Sequence, residues 1–142
     1  DERCQTSIPR IYAAGDCTNH PNPLLNRRLR LESVPNAMEQ ARVCAANMVG
    51  KDKIYSSIPW FWSDQYELKL QMVGFSSDGD REVVRGDMDA NQFSVFHVKE
   101  NKVMAADSVN SPKDFMICKQ LIGKEVDLDK LLDESIELKS ML

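Results

Sequence analysis

The sequence predicts an α+β chain, a small antiparallel sheet packed on helices and preceded by one strand and one helix. Three observations carry that prediction. Between Glu67 and Val109 apolar residues recur at alternate positions in runs separated by Asp-Gly and Glu-Asn turns, which is the period of half-buried strands. Pro35 and Pro112 each follow a serine closely and open a run of helical character, where proline's missing N–H costs nothing. A short apolar run, Ile11-Tyr12-Ala13-Ala14, ends in Gly15-Asp16, as a buried strand delivering a lone carboxylate would.

Taken in order, Thr6 to Pro9 reads as a turn and Ile11 to Ala14 as a buried strand. Thr18-Asn19-His20-Pro21-Asn22-Pro23 reads as a loop, because its prolines and asparagines interrupt any regular pattern. Ser33 is placed to cap a helix that runs to about Val49, with Pro35 in its first turn and Gly50 as the stop. Its face of Ala37, Ala41, Ala45 and Ala46 permits a close approach to a sheet or a ligand. A linker over 51–57 leads to Pro59-Trp60-Phe61-Trp62, which holds both tryptophans of the chain. Aromatics this dense either form a core wedge or flank a planar group.

From Glu67 the pattern is that of a strand, with Leu68, Leu70 and Met72 on an apolar face and Lys69, Gln71 and Val73 opposite. Further strands are expected at Glu82–Arg85, Gln92–Lys99 and Val103–Val109, for three to four in all. A helix then starts at Pro112, capped by Ser111, and carries Phe115, Cys118 and Leu121 to a stop at Gly123.

Composition narrows the function classes. The 142 residues, 42% hydrophobic and 28% charged with net charge −4, suit a globular chain and lack the dominant basic face that nucleic acid requires. No apolar run approaches the roughly 20 residues of a membrane span, and no signal peptide opens the chain, so a cytoplasmic protein with reduced thiols is expected. The start at Asp1-Glu2-Arg3, without a methionine, suggests a fragment of a longer protein. Cys4, Cys17, Cys44 and Cys118 show no CxxC spacing, and His20 and His97 fall into no metal-ligand pattern. No catalytic nucleophile or acid and no metal site is therefore expected. Arg27, Arg28 and Arg30 form a basic knot suited to an acidic protein partner.

Three stretches carry a family resemblance: Thr6…Ile11-Tyr12-Ala13-Ala14-Gly15-Asp16, then Arg30-Leu31-Glu32-Ser33…Asn36-Ala37…Gln40-Ala41, then Pro59-Trp60-Phe61-Trp62-Ser63-Asp64-Gln65-Tyr66. Together they resemble the C-terminal part of the flavin-dependent ferredoxin reductases, of the putidaredoxin, rubredoxin and dioxygenase reductase type. Gly-Asp is shared across two-dinucleotide-domain flavoproteins, whereas the Trp-Phe-Trp-Ser-Asp-Gln run is narrower. The resemblance implies FAD as cofactor, NAD(P)H as donor and an iron–sulfur ferredoxin or rubredoxin as acceptor, serving a monooxygenase or dioxygenase. It implies that Asp16 hydrogen-bonds the ribityl chain, that the Val34 N–H faces the pyrimidine edge of the flavin, and that Trp62 lies near the ring. Trp60, Arg27 and Arg28 fall to the partner-docking side.

The chain contains no GxGxxG, so the FAD pyrophosphate loop and the nicotinamide domain are expected on another part of the protein. On this reading 1–50 finish a Rossmann-like FAD domain with its last strand and helix, 51–57 are the linker and 58–142 form the C-terminal reductase domain. The isolated fragment is expected to be inactive. Two alternatives stay open, an NADH oxidase or peroxidase of the wider pyridine nucleotide–disulfide oxidoreductase group and a non-catalytic interaction module.

Overall fold

The computed structural model describes residues 1–142. They form two units, Asp1–Pro59 and Trp60–Leu142. The first holds a two-stranded hairpin, β1 (His20–Asn22) with β2 (Arg27–Leu29), and the helix α1 (Val34–Met48).

The ends of α1 follow their capping residues. Ser33 is extended at φ −144° and ψ 146°, its side chain accepts the Asn36 N–H, and Pro35 sits in the first turn. The helix stops at Met48, with Val49 as C-cap and Gly50 in the left-handed region at φ +80°. Asn36, Gln40 and Cys44 make the buried stripe of α1. Cys44 joins Cys4 and Tyr55 in a small core against which Tyr12, Ala14 and Val43 pack.

Two expectations for this unit are corrected. Ile11–Ala14 is not a strand: only Tyr12 pairs, in a single antiparallel bridge to Gln5, and Ile11 is exposed. Arg10, at φ +69°, breaks the extended path, and the segment is held instead by Thr6 N–H to Ile11 O (2.8 Å) and Ala13 N–H to Cys4 O (3.0 Å). Thr18–Pro23 is not wholly a loop, since His20, Pro21 and Asn22 face Leu29, Arg28 and Arg27 in β1–β2. A two-stranded ladder tolerates Pro21 because every strand in it is an edge.

The second unit is a five-stranded antiparallel sheet in the order β3-β4-β7-β6-β5, with β3 Trp60–Gln65, β4 Leu68–Gly74, β5 Arg81–Asp87, β6 Gln92–Lys99 and β7 Lys102–Val109. Two helices follow, α2 (Pro112–Leu121) and α3 (Leu128–Leu132). The fold class is α+β, as the sequence predicts. The strand beyond expectation is β3, which pairs with β4 from Trp60↔Val73 to Gln65↔Leu68. Within β4, Val73 on the face read as polar is the fully buried residue, while Leu70 and Met72 are half-buried. Val73 lies on the helix side with Ala106 and Phe96, over which Phe115, Cys118 and Leu121 of α2 and Leu131 of α3 complete the core. Gly74, at φ +75°, could not be another residue: a Cβ there would stand 2.2 Å from the Met104 carbonyl oxygen.

The C-terminal segment is fastened to β5 by one side chain. Arg85, 8% exposed, donates to the carbonyls of Leu131 (3.1 Å), Asp133 (2.9 Å), Glu134 (3.4 Å) and Ile136, while the Gly86 N–H donates to the Glu134 carboxylate (3.1 Å). A buried guanidinium satisfied by carbonyls alone is expensive to remove. Arg85→Met is expected to lower the unfolding free energy by about 2–3 kcal/mol, read from urea denaturation, and to expose residues beyond Leu128 to limited proteolysis before the sheet unfolds.

Candidate functional site

The Gly15–Asp16 turn is held by groups the opening motif does not contain. Gly15, at φ +83°, donates its N–H to the Gln40 side-chain oxygen at 2.7 Å. The Thr18 hydroxyl lies 2.9 Å from the Gly15 carbonyl and 3.0 Å from the same Gln40 oxygen, and the Thr18 N–H donates to Gly15 O at 3.0 Å. Gln40 is fully buried on α1, and a Cβ on Gly15 would already touch the Ala37 Cβ at 3.4 Å. The turn is thus pinned to the second turn of the helix. Asp16 itself is exposed and spends its carboxylate on no hydrogen bond or ion pair.

The start of α1 is the second element. Of the first-turn donors, Pro35 has none, Asn36 N–H goes to Ser33 Oγ (3.4 Å) and Ala37 N–H to Ser33 O (3.0 Å). Only the Val34 N–H is left without an acceptor, on a residue 54% exposed. It carries the positive end of the helix dipole. Asp16 and Val34 are therefore brought to the same end of one helix, an acceptor and a donor both unspent.

Sequence reasoning gave Gln40, Thr18 and His20 no role in the site. The available signal was Gln40 itself, a polar side chain on the buried stripe with Asn36 and Cys44, where burial obliges it to find partners. His20 is 4% exposed, stands edge-on to Tyr55 (centroids 5.1 Å, 83°) and places Nδ1 3.3 Å from the Thr18 hydroxyl. His20 Nε2 and Gln40 Nε2 have no partner, and both residues line a cavity of about 360 Å³ with Thr18 and Arg28.

Among the arginines, Arg27 and Arg28 are exposed on β2, Arg28 donating to the Asn19 carbonyl, whereas Arg30 is paired with Glu32 at 2.8 Å. The thiols are unpaired, and burial pushes Cys4 and Cys118 up to about 12. In the second unit, Trp60 and Trp62 stack at 5.4 Å between centroids and 33°. Trp60 reaches inward to Phe115 (5.9 Å), while Trp62 stays 37% exposed.

Two family models match separate stretches of the chain. Residues 60–142 match the family model described as Reductase C-terminal. The chain belongs to that family. Residues 1–41 match the model described as pyridine nucleotide-disulphide oxidoreductase. Putidaredoxin reductase CamA of Pseudomonas putida is 46% identical over 144 residues, a match covering all of this chain and 34% of that protein. The ferredoxin reductase subunit of the 5,5'-dehydrodivanillate O-demethylase of a Sphingobium species is 44% identical, covering 99% of this chain and 35% of the relative. In three dimensions the chain superposes on the ferredoxin reductase for the CYP199A2 system of Rhodopseudomonas palustris with a TM-score of 0.90 and 38% identity, over 98% of this chain and 35% of that one. The ferredoxin-reductase resemblance read from the sequence is borne out. This member of the Reductase C-terminal family spans about a third of the length of the curated relatives it matches, and none of its helices is long and apolar enough to cross a membrane.

The buried imidazole gives the first unit a pH dependence. Desolvation, then the Arg28 charge, hold the His20 pKa below the ordinary 6.5. The unfolded chain then takes up protons that the folded chain refuses, so His20's contribution is whole above its unfolded value and is lost as pH falls below it towards the lowered one. Urea unfolding between about pH 7 and about pH 5 is expected to show stability falling with pH, and His20→Phe to flatten that slope.

Proposed function

We propose that this chain is the C-terminal part of a flavoprotein that passes electrons from NAD(P)H through FAD to an iron–sulfur ferredoxin or rubredoxin serving an oxygenase. One observation carries the reading: the Asp16 carboxylate and the Val34 N–H stand unspent together at the start of α1. That donor set fits FAD. A polyol needs an acceptor for its hydroxyls, which a fixed exposed carboxylate supplies, and the electron-rich edge of a planar ring needs a donor, which Val34 supplies along the helix dipole.

FAD, when bound, supplies the chemistry of taking a hydride and releasing electrons singly. The chain's residues bind and orient. Asp16 accepts hydrogen bonds from the ribityl hydroxyls, Gln40 keeps the Asp16 turn in register with α1, and Val34 presents its N–H to the pyrimidine edge, where charge collects on reduction. Trp62 offers an exposed indole face suited to a planar group. Arg27 and Arg28 on the first unit, and Trp60 on the second, are each read as partner-facing, with the arginines steering an acidic protein. Residues 1–50 complete the FAD domain, 51–57 link, and 58–142 are the C-terminal reductase domain, the remaining cofactor contacts coming from a part of the protein outside this chain. The unpaired cysteines suit the reducing cytoplasm, where this reading places the protein.

The test uses the longer flavoprotein that contains this chain. Asp16→Ala is expected to weaken FAD retention by about 1–3 kcal/mol, seen as loss of flavin absorbance after gel filtration, and flavin content equal to the parent's would reject the assignment. Arg28→Glu should slow reduction of an acidic ferredoxin most at low salt, with the difference closing as salt rises. Equal rates across the salt series would remove Arg28 from the docking surface.

A further inference from the structure

The aromatic end of β3 is held by a residue from another element. Phe115, fully buried on α2, contacts Trp60, and Trp60 in turn contacts Trp62. Over the middle ring lies a cation: Lys119 Nζ is 4.3 Å from the Trp60 centroid and 5.8 Å from that of Phe115. Lys119 follows Phe115 by one helical turn, so both project from one face of α2. Indole is the ring that attracts a cation most strongly through its face.

The dependence runs in one direction. Trp62 is 37% exposed, with Trp60 as its ring neighbour, so its orientation follows that of Trp60. Trp60 is only partly buried and occupies an edge strand, with backbone pairing on one side alone. Edge position and partial burial leave an aromatic ring free to turn unless its faces are engaged. Phe115 engages it from the core and Lys119 from the rim.

We propose that Lys119 is a positioning residue, whose ammonium fixes the Trp60 ring and through it the orientation of the exposed Trp62 indole. Its test is spectroscopic, because Trp60 and Trp62 are the only tryptophans of this chain. Lys119→Met keeps the unbranched stem and removes the charge, whereas Lys119→Arg keeps a cation that stacks on indole. Lys119→Met is expected to lower the near-ultraviolet circular dichroism of the indole pair about twofold and to raise quenching by neutral acrylamide about twofold. Far-ultraviolet dichroism should match the parent, and Lys119→Arg should restore the parent values.

Parent-like indole spectra in Lys119→Met, or Lys119→Arg behaving like Lys119→Met, would overturn the proposal. A measurement on the unaltered chain guards against a variant that fails to fold. Ring currents should shift the Lys119 ε-methylene protons upfield of those of exposed Lys113 in proton NMR, and coincident shifts would overturn the clamp. Neither readout involves flavin. Failure here is thereby separate from failure of the flavin reading, which the flavin content of Asp16→Ala reports.

Discussion

A turn can leave a carboxylate unspent only if something else satisfies the turn, and in this chain that something is Gln40. A left-handed glycine turn exposes an N–H that needs an acceptor and a carbonyl that needs a donor, and an aspartate in such a turn ordinarily accepts from the backbone N–H two residues on, here that of Thr18. The Gln40 oxygen takes the Gly15 N–H first, and Thr18 takes the Gly15 carbonyl through both its backbone and its hydroxyl. Because Gln40 is fully buried, its oxygen cannot be lent to water. The freedom of Asp16 is thus a consequence of core packing on α1 rather than a property of the Gly-Asp dipeptide.

The second unit meets its charges by a related route. Arg85 and Lys119 both find partners that are not carboxylates, four main-chain carbonyls in one case and an indole face in the other. Carbonyls and rings hold a cation in a set direction without neutralising it, so each contact orients a neighbouring element: the C-terminal segment on β5, and the aromatic end of β3 on α2. An ion pair would have met the charge with less geometric demand.

What was legible in the sequence divides along the same physical line. Elements set by local chemistry were readable: α1 from Ser33, Pro35 and Gly50, α2 from Pro112 and Gly123, although Ser111 at its N-cap makes no side-chain capping bond, and the β6–β7 hairpin from alternation around Glu100-Asn101. Elements set by a distant partner were not. Ile11–Ala14 has strand composition but finds no strand partner beyond a single bridge to Gln5, past a kink at Arg10. Conversely, β1 hides behind Pro21, and β3 behind three consecutive aromatics that show no period of two. At the candidate site Asp16 and Val34 could be named from their motif, but Gln40 and Lys119 are joined to them or to the tryptophans across long stretches of chain. No spacing rule reports such contacts.

The start of α1 also bears on which part of a dinucleotide cofactor it could serve. A helix opening with several free N–H groups makes an anion cradle, since a phosphate draws on several donors at once. Here Pro35 removes one donor and Ser33 engages two, through its hydroxyl to Asn36 and its carbonyl to Ala37. A single donor with a dipole behind it is poorly suited to a tetrahedral anion and well suited to one edge of a flat ring. The unpaired Asp16 carboxylate works the same way, because a negative group near the site repels a phosphate while accepting from hydroxyls. If FAD is held here as proposed, both features favour its ring-and-polyol half at α1 over the pyrophosphate. On the proposed reading that division accords with the absence of GxGxxG from the chain, since phosphate-binding glycines and the helix start would then belong to different parts of one site.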